Sequence, residues 1–145
     1  MTAHRREVTF LKAAKDDVGR LYEDAPDIAR HALSKVRDLA AGRVKGQPLQ
    51  DLAKSGDLGD CHKLYFGLGN PPSHRIVYRH IGRSPQKVEI LEIVAIESRT
   101  DMYVYLLAAA RLGRIPVETK PHFNRLHQEV IASRADKRKR PRPPR

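Results

Sequence analysis

The stretch from residue 61 to 105, CHKLYFGLGNPPSHRIVYRHIGRSPQKVEILEIVAIESRTDMYVY, constrains this chain more than any other. Three runs in it, 62–66, 74–81 and 87–97, are rich in β-branched and aromatic residues, and Gly/Asn/Pro turns at 67–72 and 82–85 separate them. Branched side chains pack well on a pleated surface, while Gly, Asn and Pro reverse the chain. The runs therefore read as strands of one antiparallel meander. Residues 88–96 are apolar at almost every position, which predicts a central strand covered on both faces. Cationic and phenolic side chains punctuate the same sheet: Lys63, Tyr65, Arg75, Tyr78, Arg79 and Arg99, with Tyr105 just beyond. Lys, Arg and Tyr together supply the donors that a phosphodiester needs.

The segments on either side supply helices. Residues 5–11 place Val8 and Phe10 opposite Thr9, as in a first strand. Ala14, Val18, Leu21 and Tyr22 then fall at helical spacing within 13–22. Asp24-Ala25-Pro26 restarts the chain with proline in a first helical turn. Ile28, Ala29, Ala32, Leu33, Val36, Leu39 and Ala40 form the apolar stripe of the next helix, and Gly42 ends it. Two joined helices make a layer able to cover one face of the coming sheet. Residues 43–60 read as a polar connecting loop, tacked to the core by Leu49 and Leu52, and they lack the phosphate-cradling Walker pattern.

After the meander, Thr100-Asp101 are good caps for a further helix, with Met102, Tyr105, Leu106, Ala109 and Leu112 on one face and Gly113 at its end. A weaker amphipathic segment over 122–134 shows Phe123, Leu126, Val130 and Ile131 on one side. The last twelve residues, RADKRKRPRPPR, hold seven basic groups and one acidic, or +6 of the chain's +11. With three prolines and no large apolar residue, they read as a disordered basic tail. The organisation is thus one domain over 1–113, an extra helical segment over 114–133 and a tail over 134–145.

A net charge of +11 on 145 residues points to a polyanionic partner, because clustered Lys and Arg gain affinity by releasing counterions from phosphates. The single cysteine, Cys61, permits no internal disulfide and reads as a small buried filler at a strand start. No apolar run approaches the roughly 20 residues of a membrane helix, and no cleavable leader is visible. The expectation is a cytoplasmic protein with no membrane partner. No Cys/His cluster has zinc spacing.

The order of strand, two helices, three-strand meander and terminal helix resembles the RelE/ParE superfamily of bacterial toxin–antitoxin toxins, RelE-type mRNA interferases in particular. The residues that carry the resemblance are GDLGDCHKLYF, HRIVYR, VEILEIVAIESR and VYLLAAARL. Lys63 matches the family's strand lysine, and Arg75 the arginine of the second strand, followed by Val77-Tyr78. Arg99 matches the arginine that ends the last strand, with Tyr105 six residues on and Arg111 six further. The resemblance covers about residues 7–113.

It implies an α+β fold with a small antiparallel sheet of about four strands against two N-terminal helices, plus a C-terminal helix and extension. It also implies a ribosome-dependent mRNA endoribonuclease that enters the decoding site, inhibits translation and is neutralised by a cognate antitoxin. Its chemistry is attack of a 2′-hydroxyl on the adjacent phosphate, with no metal or other cofactor. In that scheme Lys63, Arg75, Arg99 and Tyr105 are catalytic, the two arginines gripping the scissile phosphate. Tyr65, Arg79, Arg111 and the tail cations Lys137, Arg138, Lys139 and Arg140 contact RNA. Tyr65 stands where RelE has a second lysine, so the proton acceptor stays open, with His62, His74 and Glu97 as further possibilities. Glu97 also reads as a salt-bridge partner of Arg99. Two alternatives keep the fold: a ParE-like DNA gyrase inhibitor, and a non-catalytic RNA-binding relative.

Overall fold

The three β-rich runs form β3 (Cys61–Phe66), β4 (His74–Arg83) and β5 (Glu89–Ser98), paired as an antiparallel meander. The computed structural model describes residues 5–49 and 57–139. Before the meander come β1 (Arg6–Phe10), α1 (Lys12–Asp24), α2 (Pro26–Ala40) and a two-residue strand, β2 (Gln47–Pro48). After it come a 3-10 turn at Thr100–Met102, α3 (Tyr103–Arg111), a second 3-10 turn at Val117–Thr119 and α4 (Lys120–Lys139). The architecture is α+β. Among the described residues no helix is long and apolar enough to cross a membrane.

The five strands lie in the order β1-β5-β4-β3-β2, which corrects the expected sheet in three ways. β2 is a fifth strand inside the expected connecting loop, because Gln47 and Pro48 lie against Lys63 and His62. β1 pairs parallel to β5, since a helical hairpin rather than a tight turn follows it and nothing forces the opposite direction. β5 is therefore interior, but β4 holds the centre.

Strand alternation divides the core in two. On one face Leu64, Phe66, Ile76, Tyr78, Leu91, Ile93 and Ile96 pack against Ala14, Ala32, Val36 and Leu39 of α1 and α2. On the other, Cys61, Val77, Val94 and Ala95 meet α3 through Val104, Leu107 and Ala108, with Phe123, Leu126 and Val130 of α4 packed behind. Both faces of β5 are covered. α4 continues to Lys139, so the boundary expected at Arg134 falls inside a helix, and the prolines that would stop it begin only at Pro141. Residues 140–145, with Arg140, and Leu52 of the loop lie outside the described residues.

β5 outruns its neighbour. β1 ends opposite Ile93, leaving the groups beyond without a strand partner on that side. Asp17 of α1, fully buried, accepts from the Ile96 N–H at 3.0 Å. Arg111 of α3 donates to the Val94 carbonyl at 2.9 Å and grips both Asp17 oxygens at 2.6 and 2.8 Å. Arg20 also bonds Asp17. One buried ion pair thus joins α1, α3 and the uncovered edge of β5.

Gly46 sets the approach of β2. Its N–H donates to the buried Tyr78 hydroxyl at 2.8 Å. A Cβ there would lie 2.7 Å from the Tyr78 ring and 2.9 Å from the Lys63 carbonyl. Gly46→Ala is expected to destabilise by about 1–3 kcal/mol, as overpacking does, and to loosen β2. Urea unfolding measures the first effect and hydrogen exchange along β3 the second; an unchanged midpoint would mean the crossing has room.

Cys61 is buried, and desolvation, reinforced by the neighbouring Asp60 carboxylate, pushes its thiol up to about 12. It is inert filler rather than a nucleophile. The folded value lies above the ordinary one near 9, so stability is full below that pH and falls as pH rises toward 12. Cys61→Ala is expected to flatten that alkaline loss, and the native thiol to resist alkylation at pH 8.

Candidate functional site

Strand periodicity puts Lys63 and Tyr65 on one face of β3, and the register sets Tyr65 opposite Arg75 and Arg75 opposite Glu97. This is the α3 side of the sheet, at the end that α3 leaves open. Arg99 follows the last residue of β5, and its N–H donates to the Ser73 carbonyl at 3.1 Å, tying that corner to the turn before β4. α3 is not capped by Thr100 as expected: the 3-10 turn comes first, and α3 starts at Tyr103. Met102 between them is left-handed, with φ of 65°. For a side chain with a Cβ this costs about 1–2 kcal/mol, and it turns the chain so that Arg99 and Tyr105 face one space.

That space is a cleft of about 430 Å³ lined by Gln47, Pro48, Leu49, Lys63, Arg75, Arg99, Met102 and Tyr105. The four residues expected to be catalytic, drawn from four separate motifs, all line it. Among the described residues, three of the eight that line it are cationic and none is a carboxylate.

Arg75 is held rather than free. Its guanidinium stacks on the Tyr65 ring, with Cζ 3.8 Å from the centroid. One of its terminal nitrogens donates to the Pro72 and His74 carbonyls at 2.6 and 2.9 Å. The Nε is buried and has no partner among the described residues. A buried guanidinium with spare donor capacity beside an open cleft is suited to an anion. Lys63 Nζ lies 5.4 Å from the same Tyr65 ring, so that phenol sits between the two cations. The Tyr65 hydroxyl lies 3.5 Å from Gln47 Oε1, a long contact.

The structure reassigns several expected contacts. Arg111 is the half-buried partner of the fully buried Asp17 and does not line the cleft. Six residues turn a helix by about 240° beyond a full turn, so Arg111 and Tyr105 project from different sides of α3. Arg79 shares the face of Arg75 but lies farther along β4 and pairs with Glu92 at 3.0 Å. Glu97 does not hold Arg99; both of its oxygens bond Arg134 of α4 at 2.8 Å. Tyr103 is engaged with His127, its hydroxyl 2.9 Å from Nδ1, which leaves Tyr105 as the phenol of the α3 start that faces the cleft. Lys137, Arg138 and Lys139 lie in the last turn of α4.

Neither candidate histidine lines the cleft. His62 stacks on Tyr78 on the opposite face, and desolvation, with His80 next, lowers its affinity for a proton. His74 packs on Phe66 with Nδ1 2.7 Å from the Ser73 hydroxyl, and burial followed by Arg75 lowers it too. Gln47, Pro48 and Met102 are lining residues that no motif singled out. The buried Asp17 was detectable as the one acid in the stripe of Ala14, Val18 and Leu21.

No protein-family model matches the chain, and no curated protein does. Among solved structures it is similar to a YoeB/ParE toxin from Agrobacterium tumefaciens, at 16% identity and a TM-score of 0.48, over 64% of this chain and 98% of that one. It is also similar to a mutant of the E. coli toxin RelE in the free state, at 20% identity and a TM-score of 0.49, over 74% and 98%. A conserved hypothetical protein from Helicobacter pylori aligns at 22% identity and a TM-score of 0.40, over 66% and 96%.

Proposed function

We propose that this chain is a RelE-like toxin of a toxin–antitoxin pair and a metal-independent endoribonuclease that cuts mRNA on the ribosome. The observation that carries the reading is the cleft itself: Lys63, Arg75, Arg99 and Tyr105 line one space, with no carboxylate lining it among the described residues. A carboxylate there would repel a phosphodiester. Three cations and a phenol fit one.

In the reaction the 2′-oxygen of a nucleotide bonds to the adjacent phosphorus as the 5′-oxygen leaves, giving a 2′,3′-cyclic phosphate. Charge grows on the phosphoryl oxygens, and fixed donors aimed at them lower the barrier. Arg75, held by two carbonyls and a ring, needs no reorganisation to serve. Arg99, exposed at the rim and without an ion-pair partner among the described residues, closes on the phosphate from the other side. Lys63, with its Nζ 5.4 Å from the Tyr65 ring, steadies the nucleophile or its phosphate. Tyr65, which backs Lys63 and Arg75 without lining the cleft, is the first candidate for the proton-accepting part, and Tyr105 stacks on a base or protonates the leaving oxygen.

The test is cleavage of mRNA on programmed ribosomes, with analysis of the ends. Site-specific cuts ending in cyclic phosphate support the reading. A protein that is toxic to cells yet cuts no RNA would overturn it and make gyrase the next target.

A further inference from the structure

Arg75 and Glu97 are cross-strand partners on the same face of β4 and β5, and both are buried, at 5% and 6% exposure. Side chains opposite one another in an antiparallel pair normally interact, and opposite charges attract there. These two make no ion pair. Glu97 is drawn away by Arg134, which donates to both of its oxygens at 2.8 Å, while the Ser98 N–H adds a third contact at 3.2 Å. Arg75 is left with carbonyls, a ring and an unsatisfied Nε. The residue that separates them belongs to α4, 37 positions away in sequence.

We infer that Arg134 is a positioning residue: docking of α4 holds Glu97 off Arg75 and keeps the guanidinium available to an anion in the cleft. The identity of that anion as RNA rests on the ribonuclease reading above; the separation of the two charges does not. With Arg134 removed, the Glu97 carboxylate is buried, unpaired and adjacent to a buried cation with spare donors. A buried charge in that situation recruits the partner within reach. An Arg75–Glu97 pair then cancels the charge meant for the phosphate and occupies the free Nε. The α4 helix, attached mainly through Phe123, Leu126 and Val130, thus acts as a switch on a site it does not line.

The experiment compares full-length wild type with Arg134→Gln, Arg134→Lys and the double variant Arg134→Gln/Glu97→Gln. Two readouts are used: affinity for inorganic phosphate by NMR titration, following the Arg75 side-chain Nε–H signal, and mRNA cleavage on programmed ribosomes. Arg134→Gln is expected to weaken phosphate about tenfold, shift the Arg75 signal without ligand and lower kcat about 100-fold, the scale of one lost oxyanion donor. Arg134→Lys should keep most of the affinity. The double variant should recover phosphate binding, because a neutral amide cannot cancel Arg75, although α4 has lost the same ion pair. Phosphate affinity unchanged in Arg134→Gln, or no recovery in the double variant with melting matched to the single one, would overturn the inference. A wild type that binds phosphate but cuts no RNA would sink the nuclease reading alone, and the titration would still decide the switch.

Discussion

Arg75→Ala and Arg99→Ala are each expected to lower the cleavage rate on ribosomes by about 10²–10³-fold, the usual cost of one preorganised donor to a developing oxyanion. Arg75→Ala should be the larger loss. Its guanidinium is fixed by the Pro72 and His74 carbonyls and the Tyr65 ring, whereas Arg99 lies exposed at the rim and pays entropy to close. Truncating Arg75 also frees Tyr65, so the control is Tyr65→Phe, which keeps the stacked ring and removes the hydroxyl. Rates that fall for Arg75→Ala but not for Tyr65→Phe would assign the proton transfer elsewhere, with Tyr105 next to examine. Wild-type rates in both arginine variants, at matched folding by circular dichroism, would place the chemistry outside this cleft.

Arg111→Ala is expected to act on stability instead, at about 3–5 kcal/mol, because removing one member of a buried ion pair strands the other. The stranded group is the fully buried Asp17, which would keep only the Ile96 N–H and the partly exposed Arg20. The Val94 carbonyl loses its donor as well. A domain of this size has about 5–15 kcal/mol in total, so urea unfolding should show a large drop in midpoint or no folded protein. Asp17→Asn keeps the shape and the hydrogen-bonding oxygen, and it serves as the milder variant if Arg111→Ala does not fold. The same pair of variants separates two roles for Arg111. An RNA contact would lose RNA affinity with an unchanged midpoint, and Asp17→Asn would then be silent in binding; a structural pair lowers the midpoint in both.

Much of the architecture was legible because it is written in short-range patterns. Runs of β-branched and aromatic residues between Gly, Asn and Pro marked β3, β4 and the almost continuously apolar β5, and apolar repeats marked α1, α2, α3 and α4. These patterns follow from backbone sterics and the geometry of one face, which act over a few residues. Lys63 and Tyr65 share a face for the same reason. β2 escaped notice because two residues have no period; Gly46, touching Tyr78 and Lys63, is what brings them onto the sheet.

By itself the sequence determined the meander, the helical layer and the basic charge, and it singled out Lys63, Arg75, Arg99 and Tyr105 as candidates. Only the tertiary structure decided which cations pair with a carboxylate and, among the described residues, which do not. Arg79, Arg111 and Arg134 look like Arg75 and Arg99 in the sequence, yet Glu92, Asp17 and Glu97 neutralise the first three. Asp17 and Arg111 are 94 residues apart, and Glu97 and Arg134 are 37. No local rule pairs charges at such distances: a charge's partner is set by which elements pack together, and that is settled only when the whole core closes.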